Sequence, residues 1–369
     1  MDIYGKLGIK TGINARGTVT KLGGSRLPPE VIKAMADAAG SFIPMHDFHR
    51  KAGEYVAGLL GVEACCITCG AAAGLAISSA ACMTRGERAK VLRLPDTADM
   101  PNEVLLLKAH RILYDQALRL SGAVIREVGT TSFAAPDLLK AEINDRTALF
   151  VYVAENERVR GSVPLPELAP ILREHGVPIL VDAAAELPPA ENIRNYLDMG
   201  ADLVVFSGGK EIRGPQASGI IVGKKELIEA CHKNCCPNYS IGRSMKISKE
   251  SIAGLVAAIE LFTSRDYRLQ MKVWKDMTNR ICTSVSDRND VQVRTGFPTE
   301  PGVQPTVILR AYVKPLKISA VELRDKLLNA PIPVYADLND DEIVLNPQCL
   351  EPGEPDKIID ILRHCLDDN

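Results

Sequence analysis

Leu203-Val-Val-Phe-Ser207-Gly-Gly-Lys210-Glu-Ile-Arg213-Gly-Pro-Gln-Ala-Ser-Gly219-Ile-Ile-Val222 joins two short apolar runs through a polar, glycine-rich turn. Leu203–Phe206 and Ile220–Val222 are runs of the kind that a sheet buried on both faces requires. Gly208, Gly209, Gly214, Gly219 and Pro215 let the chain turn sharply between them. Lys210 therefore sits at a buried strand end, where desolvation favours the uncharged, nucleophilic amine. A lysine on a solvated turn is the ordinary alternative, so the rest of the chain has to decide.

Working outward, apolar segments recur at Val62–Thr68, Lys90–Leu94, Glu103–Lys108, Ala123–Val128, Ala148–Val153, Pro178–Val181, Leu203–Phe206 and Gly219–Val222, separated by helical patterns such as Glu167–His175. Strands alternating with helices predict an α/β fold with a mainly parallel, doubly wound sheet and ligands at the strand C-terminal ends. Two chemical features fall at such ends. Val177-Pro-Ile-Leu-Val-Asp182 is an apolar strand closing on a carboxylate, which suits a protonated heteroaromatic nitrogen or, alternatively, caps a helix. Cys69-Gly70-Ala71-Ala72 opens a small-residue helix with bare N–H groups, a phosphate site in principle, to which Ser207 adds a hydroxyl. Neither a nucleotide P-loop nor a dinucleotide glycine turn occurs.

Composition sets the outer bounds. With 369 residues, 46% hydrophobic and 24% charged, the chain buries a large core and has room for two domains. A net charge of −2 from 44 basic and 46 acidic residues gives no footprint for nucleic acid or an acidic membrane. The start lacks a signal-peptide core and no apolar run approaches a spanning length, so a cytoplasmic protein is expected. Ten cysteines include two clusters, Cys65-Cys66-Ile-Thr-Cys69 and Cys231-His232-Lys-Asn-Cys235-Cys236. The second is the better metal candidate, but it has no obvious matching pair, and buried reduced thiols with no metal are the expectation.

Residues 1–60 read as a glycine-rich arm and helices, with helices starting at Pro28-Pro29-Glu30 and around His49; residues 61–250 as the large domain; and residues 251–369 as a small α+β domain. The last begins with a helix capped by Ser248 and running through Leu261. A strand at Val303–Val313, a helix at Ala320–Leu328, a hairpin of Val334–Asp337 with Glu342–Leu345 and a closing helix at Asp356–Leu366 follow.

The order of Cys69-Gly-Ala-Ala, Asp182 and Ser207-Gly-Gly-Lys210 resembles the fold-type I, aspartate aminotransferase-like pyridoxal-phosphate superfamily. Ile13-Asn14-Ala-Arg16-Gly-Thr18, Ser207–Gly219 and Arg243-Ser-Met-Lys246-Ile-Ser-Lys249-Glu250 resemble its selenocysteine-synthase-like branch, and more closely the D-glucosaminate-6-phosphate ammonia-lyase family. That likeness implies a seven-stranded sheet and pyridoxal 5'-phosphate as cofactor. It makes Lys210 the Schiff-base lysine and Asp182 the partner of the pyridine nitrogen. Cys69, Gly70, Ala71, Ala72 and Ser207 become the phosphate loop, and His110 an aromatic ring stacked on the cofactor. Asn14, Arg16, Thr18, Arg213, Lys246 and Arg310 are the candidates for contacting substrate, with Lys21 and Arg26 as further cations.

The implied reaction is α,β-elimination of a hydroxylated amino acid or amino sugar acid to a 2-keto-3-deoxy acid and ammonia, in a homodimer or higher oligomer. Racemisation, aldol cleavage, transamination or a non-catalytic relative are the alternatives that the same residues leave open. Selenium transfer onto tRNA is disfavoured by the absence of a basic surplus and by the early start of the cofactor-domain pattern.

Overall fold

A computed structural model describes residues 2–300 and 302–367, which form two compact units, one of Leu27–Ser264 and the other of residues up to Arg26 with those from Arg265 onward. These boundaries differ from the expected breaks at residues 60 and 250. The helix Lys249–Ser264 belongs with the larger unit because Lys249 Nζ donates to the carbonyls of Ala38 and Ala39 at 2.5 and 2.9 Å, closing the C-terminal end of the helix Pro29–Ala39. Glu260 of the same helix accepts from the Tyr55 hydroxyl at 2.7 Å. Ser248 Oγ caps its start, accepting from Ser251 N at 3.1 Å, as expected.

The larger unit is built on a seven-stranded sheet of β1 (Ala64–Thr68), β2 (Glu103–Leu107), β3 (Val124–Val128), β4 (Thr147–Val153), β5 (Ile179–Asp182), β6 (Leu203–Ser207) and β7 (Gly219–Gly223). Their spatial order is β1-β7-β6-β5-β4-β2-β3, parallel except at β7, which runs against both neighbours. Every residue of β2, β5 and β7 is buried, as continuous apolar runs demand. The Ala/Ser-rich helix Ala71–Thr84 is buried from Ala73 to its end, and its small side chains let it lie against the sheet. Lys90–Leu94, expected as a strand, is the helix Arg88–Arg93 instead. One apolar residue in it, Val91, is buried while Leu92 is exposed, so the short run is a surface turn of helix and not a sheet element.

The smaller unit has its own core, from Ile13 and Ala15 through Ile281, Val313 and Leu345 to Ile358 and Leu362. Its four-stranded antiparallel sheet runs Asp337–Asn339, Glu342–Leu345, Arg310–Pro315, Val291–Gly296. The strand expected at Val303–Val313 begins at Arg310, because Pro305 has no N–H for a ladder. The expected hairpin strand Val334–Asp337 is divided: Val334–Tyr335 pairs in parallel with Ile13–Asn14, and Asp337–Asn339 makes the hairpin. That pairing stitches the N-terminal segment into this unit.

Candidate active site

Adjacent strand ends bring the chemistry together in the larger unit. Val153, Asp182 and Val205 stand in one row of the sheet, and Thr68, Gly219 and Ser207 in another. Beyond Ser207 the chain turns back within a few residues: Gly208 N donates to Ser218 O at 2.9 Å and Gly214 N to Gly208 O at 2.8 Å. A Cβ on Gly208 would lie 2.2 Å from Ser218 Oγ, so the turn that presents Lys210 needs glycine there.

Lys210 is partly buried, and among the described residues its Nζ makes no hydrogen bond or ion pair. Burial pushes its pKa down, opposed by the charges of Asp182, Glu155 and Glu186. Asp182 is 7% exposed and accepts a hydrogen bond from Ala184 N at 3.2 Å. Burial pushes its carboxyl up, with that N–H and the Lys210 charge pulling the other way. Asp182 is thus a buried carboxylate awaiting a cation, and Lys210 an amine held free of partners.

Two residues that the sequence did not single out complete the cluster. Glu186 is buried, its Oε1 finds no hydrogen-bond partner, and burial with the neighbouring charges of Glu157, Glu155 and Asp182 pushes its pKa up to about 8. Glu155, just past the end of β4, is half-buried and also shifted up by desolvation. The signal was present: both follow an apolar strand within four residues, where a parallel sheet places ligands.

At the other row, Gly70 (φ 143°) precedes the helix Ala71–Thr84 with no side chain capping its first N–H groups. A Cβ on Gly219 would meet Gly70 C at 2.8 Å and Ala71 N at 2.9 Å, so β7 lies directly against this helix start. Ser207 Oγ, beside Gly219 in the ladder, has no partner among the described residues. Cys69 is half-buried and its thiol is shifted up by burial. A bare helix start, an unpartnered hydroxyl, a partner-free lysine and a buried carboxylate fit the donor set that pyridoxal phosphate requires.

His110 departs from expectation. It has 0% exposure, so its ring offers no free face to a flat cofactor. Nδ1 accepts from Val153 N at 3.1 Å, which leaves the proton on Nε2, 2.8 Å from Ser162 Oγ. Ser162 also bonds Tyr152, whose ring meets His110 edge-on at 4.6 Å. Burial drives the His110 pKa down to about 4, so this is a neutral histidine bracing the end of β4.

The substrate candidates divide between the units. In the smaller, Asn14 Oδ1 accepts from Arg16 N at 2.9 Å and its Nδ2 donates to Gly17 O at 2.8 Å, shaping the local turn. Arg16 pairs with Asp337 at 2.6 Å, and Thr18 is half-buried. Arg310 is 6% exposed, donates to Gln304 O at 3.1 Å and feels Asp337 electrostatically. The Nε atoms of Arg16 and Arg310 are both buried without a partner. In the larger unit, Lys246 is exposed, and Arg213, in the left-handed region at φ 61°, donates its N–H to Lys210 O at 2.9 Å.

Residues 108–351 match the family model described as L-seryl-tRNA selenium transferase. The chain belongs to this family. Within it, D-glucosaminate-6-phosphate ammonia lyase of Salmonella typhimurium is 33% identical over 370 residues, covering 98% of this chain and 97% of the relative. A solved D-glucosaminate-6-phosphate ammonia-lyase superposes with a TM-score of 0.86 at 32% identity over 100% and 99% of the two chains. A Streptomyces 5'-C-glycyluridine monooxygenase-decarboxylase is 39% identical over 269 residues, 71% of this chain and 65% of that protein. The fold extends to a Sphingomonas wittichii serine palmitoyltransferase, with a TM-score of 0.62 at 15% identity over 97% and 88%. This family member therefore has the architecture of the fold-type I pyridoxal-phosphate enzymes and is an enzyme of that cofactor class. Among the described residues no helix is long and apolar enough to cross a membrane.

Proposed function

We propose that the chain is a pyridoxal-phosphate ammonia lyase acting on a phosphorylated 2-amino sugar acid, with D-glucosaminate 6-phosphate the substrate suggested by its Salmonella relative. The products are a 2-keto-3-deoxy acid and ammonia; the water lost in elimination is returned on hydrolysis. The observation that carries this reading is a Lys210 amine without partners in the field of three buried or half-buried carboxylates.

Lys210 Nζ would hold the cofactor covalently, Asp182 its ring nitrogen, and the Gly70, Ala71 and Ala72 N–H groups with Ser207 Oγ its phosphate. When bound, pyridoxal phosphate supplies the electron sink for the pair left as the C2 proton departs. Lys210, whose charged form burial disfavours, is the base that takes that proton. Glu186, whose carboxyl stays protonated at neutral pH, is the acid that gives a proton to the departing C3 hydroxyl. Buried walls around both groups keep bulk water from short-circuiting the transfer. Arg16 and Arg310, within the smaller unit, each keep a buried Nε without a partner, a donor suited to an acidic group. Asn14, Thr18, Arg213 and Lys246 remain further contacts in this reading, the active species a homodimer or larger, and the compartment the cytoplasm.

Holoenzyme incubated with D-glucosaminate 6-phosphate, D-glucosaminate and D-serine tests the proposal. Ammonia and 2-keto acid in equal amounts, fastest from the phosphorylated substrate, are expected; racemised substrate without ammonia overturns it. The 39% identity to a monooxygenase-decarboxylase favours oxygen-dependent decarboxylation as a second reading, and oxygen uptake with carbon dioxide release distinguishes it.

A further inference from the structure

The two cysteine clusters of the sequence meet in space. Cys66, inside β1, lies with its Sγ 3.5 Å from Cys235 Sγ, just beyond the helix Lys225–Asn234, and 3.7 Å from Nδ1 of His232 on that helix. His49, from the helix Met45–Leu60, meets His232 edge-on with ring centroids 5.1 Å apart. Ligand atoms of His49, Cys66 and His232 all lie within 4.8 Å of one another. The matching pair that the Cys231–Cys236 stretch lacked in sequence is thus supplied by Cys66 and His49.

Both imidazoles bond a backbone carbonyl through one ring nitrogen. His49 Nε2 lies 2.6 Å from Ile67 O and can bond that carbonyl only as a donor, which leaves Nδ1 with a free lone pair. His232 bonds the Cys65 backbone, and since its Nδ1 faces Cys66, the donor is Nε2. A ring N–H fixed on a backbone carbonyl is the supporting contact that sets tautomer and aim in histidine metal sites.

We infer that His49, Cys66, His232 and Cys235 form a four-coordinate site for a thiophilic divalent cation, zinc above all, which ties the helix Met45–Leu60 and the segment Lys225–Cys235 to β1. Tetrahedral ligands at about 2.3 Å (sulfur) and about 2.0 Å (nitrogen) are separated from one another by roughly 3.3–3.8 Å; the 3.5 and 3.7 Å contacts already lie in that range. With no carboxylate in the set, hard cations such as magnesium or calcium are disfavoured. Binding breaks two S–H bonds and forms two metal–sulfur bonds, releasing two protons, and the product is electrically neutral. A neutral site suits the surroundings: Cys66 is 0%, Cys235 3% and His49 4% exposed. A cavity of about 810 Å³ lined by His49 and His232 gives the ion its entry.

Metal-free holoenzyme titrated with Co²⁺ is expected to take up one equivalent per chain, with intense tetrahedral visible bands and a thiolate-to-cobalt charge-transfer band, both erased by Zn²⁺. The charge-transfer band should weaken in C66S and C235S, each checked for folding by its retained cofactor absorption, and affinity should fall in H232Q. No thiolate band in the wild type at equimolar Co²⁺ overturns the inference, and that single titration decides even where a variant fails to fold. So does uptake unchanged in both cysteine variants, or oxidation that closes a Cys66–Cys235 disulfide equally well with Zn²⁺ present. None of these readouts depends on turnover, so the lyase reading and the metal site stand or fall separately.

Discussion

The larger unit buries two polar clusters, and they are built on opposite plans. Around Lys210, the amine and the carboxylates of Asp182, Glu155 and Glu186 influence one another electrostatically while the amine touches none of them. Around Cys66, two thiols and an imidazole lie in contact at 3.5 to 3.7 Å. Burying ionisable groups without contact is costly, because desolvation is not offset by hydrogen bonds. Such an arrangement persists where the groups are kept for a ligand. Neutral groups in contact cost little until a metal replaces their protons. The first cluster is thus equipped for proton movement and the second for a crosslink.

Removing the amine gives the largest test of this contrast. K210A should lose the visible cofactor band and lower kcat by at least about 10³-fold, since the variant loses both covalent anchor and base. Retention of a tenth of wild-type turnover would break the assignment of the first cluster. E186Q comes next, with kcat lower by roughly 10²-fold. Its sign with pH is fixed. The carboxyl is protonated below about 8, so a rate that needs its proton falls as pH rises through 8, and E186Q should lose that limb. Stability follows the same group. With a folded pKa near 8 against 4.5 for the free side chain, its contribution is full below 4.5 and lost as pH rises to 8. Urea unfolding of E186Q across that window should show a flatter profile; an unchanged slope assigns the pH dependence elsewhere.

How far each cluster was legible depends on sequence distance and on degeneracy. Lys210, Ser207 and Asp182 could be picked out because apolar runs with the sheet's length end on them. Glu155 and Glu186 sit at similar ends, yet a carboxylate there equally serves as a helix cap, and burial alone separates the two roles. His110 looked like a ring for stacking, but its Nδ1 is committed to Val153 N, a contact across 43 residues that spacing does not reveal. Cys66 and Cys235 are 169 residues apart, in two cysteine clusters that no sequence pattern joins. The pairing of Ile13–Asn14 with Val334–Tyr335 likewise follows from the folded register and from no local pattern.

A smaller effect is expected at the helix start. G219A places a methyl 2.8 Å from Gly70 C and 2.9 Å from Ala71 N, backbone that cannot swing aside as a side chain does. Overpacking of this kind typically costs about 1–3 kcal/mol. If the Gly70–Ala72 N–H groups hold phosphate, cofactor affinity should fall roughly tenfold, a cost of about 1.4 kcal/mol. Equilibrium dialysis against pyridoxal phosphate separates the two consequences: a lower melting temperature with unchanged cofactor affinity detaches the phosphate site from β7.

The smallest effect should come from the second cluster, and it sharpens the contrast most. A chelator that strips zinc from the holoenzyme removes a crosslink among two helical segments and β1 while leaving Lys210, Asp182 and Glu186 in place. A bound ligand stabilises the folded state in proportion to the logarithm of its saturation, so the melting temperature should drop by roughly 3–8 °C and return when Zn²⁺ is restored. The initial rate at low temperature, where the fold remains intact, should stay within about twofold, as expected when a change is confined to stability. A rate that collapses on chelation, at a temperature where near-ultraviolet dichroism still reports native packing, would join the two clusters into one catalytic device and erase the distinction. A melting temperature indifferent to the metal would leave Cys66, Cys235 and the two histidines as a packed neutral cluster, stabilised by burial alone.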